Sequence, residues 1–196
     1  MALILTAPPA VEPVSLVEAK AHLRVDGDAE NILIQSLILT SRLHIETAFG
    51  LALIQQSWAI FRDAWPSARE VMLPLNPIKS IDAIRLYDVT GTFILAPLAG
   101  FTVDSSANQS RLVRHANLTL PQPHRPANGI EIAVTAGFGP NPSDVPAPIR
   151  HALLLLVAHW YEHRDPSEIG TEETRVPQAV SDLLAPWRSV RLGVRL

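Results

Sequence analysis

Residues 159–163, HWYEH, contain two histidines and a glutamate, the residue types with which metal-dependent hydrolases bind zinc and activate water. On a helix, His159 and His163 are four positions apart and face the same way, so the two imidazoles can share a zinc ion. Glu162 completes the order H-x-x-E-H, which is the inverted form of the zinc-peptidase helix motif. The segment therefore raises the question of whether the chain is an enzyme.

The rest of the sequence argues against a zinc enzyme. A catalytic zinc needs three protein ligands and one open position. In the inverted-motif peptidases the third ligand is a glutamate much further along the chain, whereas only 33 residues follow His163. The remaining candidates fall in a predicted loop or short helix: Glu168, Glu172, Glu173 and Asp182. We predict instead that His163 is a packing residue at a helix end, favoured there by the negative end of the helix dipole.

The composition excludes several other classes of function. The chain of 196 residues has no cysteine, which rules out disulfides, thiolate zinc sites, iron–sulfur clusters and cysteine nucleophiles. Its net charge of −3 provides no overall basic field for nucleic acid. No phosphate-binding glycine motif and no G-x-S-x-G elbow occurs, although a Ser–His–Asp triad stays possible. We expect residues 137–140, GFGP, to form a turn, and Arg111 and Arg114 to lie on a solvated strand edge.

Hydropathy predicts a soluble cytoplasmic protein. The first ten residues, MALILTAPPA, contain a short apolar run and no basic leader. The longest apolar run, residues 152–158, is far below the ~20 residues that span a bilayer.

Helices are predicted at both ends of the chain. Ser15 and Glu18 form a capping box, which predicts a helix over 15–24. A longer helix is predicted over 29–49, with Asp28 as its cap and Gly50 in the left-handed position that ends it.

In the stretch 55–137 apolar and polar residues alternate with a period of two, which predicts a β-rich region. The predicted strands are 56–62, 69–74, 80–88, 92–96, 100–104, 110–115 and 129–137. Because no long helix lies between them, the pattern predicts an antiparallel sheet or small sandwich and disfavours a parallel βαβ sheet. The fold class is therefore α+β.

A second amphipathic helix is predicted over 147–164. Its core-packing residues recur at helical spacing: Ile149, Leu153, Leu156, Val157 and Trp160. An exposed acidic loop, 165–175, follows, and then a short helix with Pro177 near its first turn and Pro186 at its end.

The last nine residues, RSVRLGVRL, form an alternating pattern with no strand partner nearby in the sequence. We predict that this tail docks on another chain as an added strand, with its arginines facing carboxylates. The predicted contact residues are Arg188, Val190, Arg191, Leu192, Val194, Arg195 and Leu196. A disordered terminus is the alternative.

The order of these signals resembles the head–tail connector family, the adaptor or head-completion proteins of long-tailed phages and phage-like gene transfer agents. The resemblance rests on EAKAHLRVD (18–26), on VPAPIRHALLLLVAHWYEHR (145–164) and on LLAPWR (183–188). It runs from about Ser15 to Arg188.

The resemblance implies a structural virion protein with no enzymatic activity and no cofactor. It implies a single connector domain, 1–187, comprising helical (15–50 and 147–187) and β-rich (55–137) parts, followed by the docking tail, 188–196. Such subunits are expected to form a ring, commonly of twelve copies, between the portal and a tail-side stopper, with double-stranded DNA passing through the lumen. The protein would be made in the bacterial cytoplasm and end in the particle. A zinc hydrolase or a host binding module are the alternatives.

Overall fold

The computed structural model describes residues 1–105, 109–163 and 176–188. It contains eight strands within these ranges: β1 Ala2–Ala7, β2 Gln56–Arg62, β3 Glu70–Met72, β4 Ile78–Tyr87, β5 Phe93–Leu95, β6 Phe101–Asp104, β7 Arg111–Arg114 and β8 Ile130–Ala136. Four α-helices are described: α1 Leu16–Leu23, α2 Asn31–Phe49, α3 Ala147–Glu162 and α4 Gln178–Leu184. The predicted α+β class is confirmed.

The described residues fall into two compact units. The first is a β unit made of Met1–Ala10 and Gln55–Phe138. The second is a helical unit made of Val11–Ile54 and the described residues from Gly139 onward. The single-domain boundary at residue 187 stays a prediction.

A five-stranded antiparallel sheet forms the centre of the β unit, in the order β1-β2-β8-β4-β5. Strand β8 lies in the middle, and Ile132 pairs with Ile60 of β2 on one side and Ile84 of β4 on the other. All three isoleucines are fully buried. Alternate β8 residues are buried along its whole length, so its period of two places one face in the core.

A second antiparallel sheet has the order β3-β7-β6. Its middle strand buries Leu112 completely. Beside it the rings of Trp65 and Phe101 stack with centroids 5.9 Å apart. The prediction of antiparallel strands is therefore confirmed, and the strand ends lie within two residues of the predicted ones.

Strand β1 is the one described strand that the sequence pattern did not predict. It pairs with β2 from Ala2↔Phe61 to Ala7↔Ser57, with an irregularity between Leu5 and Ala7. All six of its residues are exposed. A strand with neither face buried has no need to alternate, so no period-two signal marks it in the sequence.

Helix α1 begins with the predicted capping box. The Glu18 backbone N–H donates to Ser15 Oγ at 3.2 Å, and the Ser15 N–H donates to Glu18 Oε2 at 2.9 Å. The Ser15 backbone bond is the main cause that lowers the pKa of Glu18 below its ordinary value. Arg150 of α3 also pairs with this carboxylate, which ties α1 to α3.

The predicted cap of α2 is wrong in one respect. Glu30, and not Asp28, occupies the N-cap position. The Asp28 side chain instead accepts hydrogen bonds from Asn31 Nδ2 at 2.9 Å and from Lys20 Nζ at 3.2 Å. Asn31 and Lys20 thus hold this carboxylate, and no side-chain hydrogen bond caps the start of α2. At the other end, Gly50 is confirmed in the left-handed region with φ of 65°.

A buried ion cluster anchors the C-terminal half of α2. Arg42 and Glu46 are one helical turn apart, with Arg42 Nη1 at 2.8 Å from Glu46 Oε2, and both are buried. Arg42 Nε donates to Glu12 at 2.8 Å. The other Glu46 oxygen accepts the Leu53 backbone N–H at 2.8 Å. The cluster thus joins α2 to the segments before and after it.

Helix α3 packs against α1, α2 and α4. Of its predicted packing residues, Ile149, Leu153, Leu156 and Val157 have no exposed surface, whereas Trp160 is half-buried. Trp160 meets the His44 ring edge-on at 5.5 Å. Helix α4 starts after Pro177, which is its N-cap, and Pro186 falls in the 3₁₀ turn that ends it.

Replacing Glu46 with alanine should destabilise the chain by about 3–5 kcal/mol, because Arg42 loses a buried partner and the Leu53 N–H loses its acceptor. Urea unfolding followed by circular dichroism measures the loss. Thr47→Ala, one position along the same helix and exposed, is the matched control and should change stability by at most about 0.5 kcal/mol. Equal midpoints for the two variants would contradict a stabilising role for the cluster.

Candidate functional site

The two histidines of HWYEH lie together at the end of α3. Their ring centroids are 4.6 Å apart. Helix α3 ends at Glu162, and His163 is its C-cap, with its backbone N–H donating to the His159 carbonyl oxygen. The His163 Nδ1 is 2.8 Å from that same oxygen, so this nitrogen carries the proton and donates. His163 thus lies at the helix end, as predicted, but it caps the helix through a hydrogen bond, which engages one of its ring nitrogens.

The described residues bring no third metal ligand to this pair. Across 1–105, 109–163 and 176–188, no group of three histidine, aspartate or glutamate side chains could hold a metal ion. Asp182, one of the candidates from the sequence, accepts a hydrogen bond from Gln178 Nε2 at 2.8 Å on α4. The candidates Glu168, Glu172 and Glu173, with the predicted acidic loop, lie outside the described residues.

Burial and the neighbouring imidazole set the protonation of His159. Burial is the larger cause and His163 the second, and both lower the pKa of His159 below its ordinary value of 6.5. Its neutral form is therefore favoured in the folded chain. Because the pKa of His159 is lower in the folded chain than in the unfolded chain, its neutral form contributes stability above pH ~6.5. This stability is lost as the pH falls through the pKa that His159 has in the folded chain.

Arg111 does not offer a free guanidinium to a phosphate. It pairs with Asp104 at 2.8 Å and with Glu70 at 2.9 Å across the three-stranded sheet. The hydrogen bond that Arg111 Nε donates to Asp104 is the main cause that raises the pKa of Arg111. Contrary to the predicted strand edge, Arg111 and Arg114 lie on β7, the middle strand of this sheet, although the Arg111 side chain is 41% exposed. The GFGP segment forms a turn, in which a Cβ at Gly139 would collide with the Asp144 carboxylate.

A cluster of aromatic, arginine and glutamate side chains lies at the β5 edge of the larger sheet. Glu131 of β8 accepts from both Arg85 and the Tyr87 hydroxyl. The hydrogen bond from the Tyr87 hydroxyl to Glu131 is the main cause that raises the pKa of Tyr87. The Arg85 guanidinium lies 5.4 Å from the Phe93 ring centroid, and Arg125 lies 5.8 Å from that of Tyr87.

This cluster borders a cleft of about 240 Å³. Phe93 is 45% exposed and Ile94 is 55% exposed. Arginine and aromatic side chains of this kind are enriched in protein–protein contacts. No local sequence pattern marks this cluster, because Glu131 lies more than 40 residues from both Arg85 and Tyr87. Only strand pairing brings the three side chains together.

The predicted docking tail is described at its first residue only. The Arg188 guanidinium lies 5.9 Å from the Phe49 ring centroid at the end of α2, which is a cation–π distance. Val190, Arg191, Leu192, Val194, Arg195 and Leu196 lie outside the described residues. Their role stays a prediction.

The described residues expose apolar and aromatic side chains at the β1 and β5 edges of the larger sheet. None of their helices is long and apolar enough to cross a membrane.

The chain is similar to chains in solved structures of gene transfer agent particles. It matches a chain of the virion of the native gene transfer agent particle with a TM-score of 0.84 and 26% identity, over 100% of this chain and 99% of that one. It matches a chain in the neck of the empty particle, computed with C6 symmetry, with a TM-score of 0.83, 27% identity and the same coverage. A neck of the native particle, computed with C12 symmetry, gives 0.75 and 28% identity over 98% of both chains.

No family model matches the sequence, and no curated protein matches it significantly. The structural matches extend over both compact units and nearly the whole of the similar chains. They confirm the predicted resemblance to a phage-like connector protein, and they support the predicted location in the neck of such a particle.

Replacing His163 with asparagine should change the stability by less than about 1 kcal/mol, because the asparagine amide can also donate a hydrogen bond to a carbonyl at the helix end. Elemental analysis of the purified protein should find no stoichiometric zinc before or after the change. His124→Asn, in a loop of the β unit, is the control. One zinc per chain that disappears only in the His163 variant would revive the hydrolase hypothesis.

Proposed function

We propose that this chain is a structural head–tail adaptor subunit of a phage-like particle, with no catalytic activity. It would form a ring beneath the portal, receive a tail-side stopper, and join the DNA-filled head to the tail. The observation that carries the proposal is the full-length likeness to chains of gene transfer agent virions and necks, at TM-scores of 0.84 and 0.83.

The symmetry of the similar structures supports a ring. The matched necks were computed with C6 and C12 symmetry, and we propose twelve copies for this chain. Subunits in a cyclic ring use heterologous contacts, in which one surface meets a different surface of the neighbour. The described residues offer several exposed surfaces for such contacts, among them the β1 and β5 edges of the larger sheet.

The charge of the chain suits a passive conduit for double-stranded DNA. Each phosphate that a protein neutralises adds affinity and ties the duplex to the wall. A net charge of −3 avoids many such contacts, and Arg111 and Arg85 are already paired with carboxylates. A lumen built from such a chain would let DNA slide without sequence preference.

Cells that lack this chain should make filled heads without tails, because the joint between portal and tail-side stopper would be missing. Electron microscopy of the particles, together with assays of tail attachment, measures the outcome. A plasmid copy of the wild-type chain is the control and should restore joined particles. Normal tailed particles without the chain would contradict the adaptor function.

Deleting residues 189–196 should leave the midpoint of thermal unfolding unchanged and abolish attachment to the portal, since the tail is proposed to dock there. Pull-down with portal rings and particle microscopy report the attachment. The deletion retains Arg188 and its contact with Phe49. A truncated protein that still joins heads to tails would remove the tail hypothesis.

The double variant Arg191→Glu and Arg195→Glu tests whether arginine–carboxylate pairs contribute to portal binding in addition to the main-chain hydrogen bonds of the tail. It should weaken portal binding at least tenfold if both arginines face carboxylates, which corresponds to about 1.4 kcal/mol. Arg69→Glu with Lys79→Glu, two exposed positions of the β unit, makes the same change in net charge and should leave binding unchanged.

A further inference from the structure

The solvent-exposed side of α2 carries three apolar side chains spread along the helix. Ile32 is 84% exposed, Leu39 is 42% exposed and Leu43 is 47% exposed. Their spacing of seven and four positions places them on one side of the helix. We define this surface as the outer face of α2, and it consists of Ile32, Gln35, Ser36, Leu39, Leu43 and Thr47.

The outer face carries no charge. The only charged side chains in Asn31–Phe49 are Arg42 and Glu46, and both are buried in the ion cluster described above. A helix on the surface of a globular protein ordinarily has charged residues on its solvent side. Depletion of charge with retention of apolar side chains is instead the signature of the core of a protein–protein interface.

A neighbouring groove extends this face. It has a volume of about 390 Å³ and is lined by Gln35 and Ile38 of α2, by Leu16 at the start of α1 and by the segment before it, where Glu12 is paired with Arg42. Gln35 belongs to both surfaces. A helix of 19 residues is ~28 Å long, and alone it falls short of the ~800 Å² that a stable interface buries on each partner. The groove adds area to the same surface.

Strand β1 is a second uncharged surface. Its sequence, ALILTA, contains no charged residue and no proline, and all six residues are exposed. Leu3 is 37% exposed, Ile4 is 52% exposed and Leu5 is 40% exposed. Edge strands are normally protected by charges, prolines or a covering element. An edge without such protection is a surface that another chain is expected to cover.

We propose that the outer face of α2 in one copy docks on strand β1 of the next copy, and that this contact repeats around the ring. The proposal rests on the adaptor function and names the two surfaces that the ring joins. Both surfaces are uncharged and expose apolar side chains, they are unlike each other, and they belong to one chain. A cyclic ring joins two different surfaces of each subunit, and the similar necks have C6 and C12 symmetry.

The absence of native cysteine makes a direct test possible. Cysteine is placed at Leu43 on the α2 face and at Ile4 on β1, and purified particles are treated with a short bis-maleimide. Chains that carry both cysteines should give a ladder of multimers of this chain, because each copy joins two neighbours. Each single variant should stay monomeric. Pairs of Leu39 with Leu3 and of Leu39 with Leu5 test other registers of the same contact.

The possible outcomes separate the two proposals. Immunoblotting first establishes whether the chain is in the particle, and its absence there would contradict the adaptor function. If the chain is present and no pair gives a multimer ladder, only the α2–β1 contact is overturned. A cross-link to a different protein, or a dimer formed by a single variant, also overturns it.

Charge insertion gives a second measurement. Leu39→Glu with Leu43→Glu should reduce incorporation into particles more than tenfold while the midpoint of thermal unfolding stays unchanged, since both side chains are exposed in the isolated chain. Val89→Glu is the control, because Val89 is 75% exposed and lies in the turn after β4. Normal incorporation of the double variant would overturn the proposed contact.

Discussion

The inward placement of Arg42 and Glu46 is the constraint on which the helical unit depends. Burying two opposite charges is tolerable only when their hydrogen-bonding capacity is satisfied, and here Glu12 and the Leu53 N–H help to satisfy it. These contacts join three parts of the chain in one network: the segment at Glu12, the last turns of α2, and the backbone at Leu53 just after the helix. The inward placement also removes from the solvent side of α2 the only charges that the helix possesses.

The β unit depends in a similar way on strand β8. It pairs with both β2 and β4, so the two halves of the larger sheet are joined through it. Its buried alternate residues form the core, and its outward residue Glu131 organises Arg85 and Tyr87. The two ends of the sheet are left as strands with exposed apolar residues. A chain whose free edges are apolar is suited to a larger assembly, where neighbours can cover them.

Much of the architecture could be predicted because it is encoded locally. The Ser15–Glu18 capping box, the left-handed Gly50 and the period-two stretches each depend on residues close in sequence, and the structure confirms them. Predictions failed where a distant residue decided the outcome. Asp28 does not cap α2 and is held by Asn31 and by Lys20 of the preceding helix, and β1 was missed because nothing in its own sequence shows that it pairs with β2.

The same distinction applies to function. The sequence by itself determined that HWYEH lacks an evident third ligand, that thiolate chemistry is excluded, and that the order of segments resembles a phage-like connector. Only the tertiary structure decided that His163 bonds back to its own helix and that α2 and β1 present uncharged apolar surfaces. The physical reason is that motifs and helical or strand periods are short-range properties of the chain. Which face of an element remains exposed depends on long-range packing.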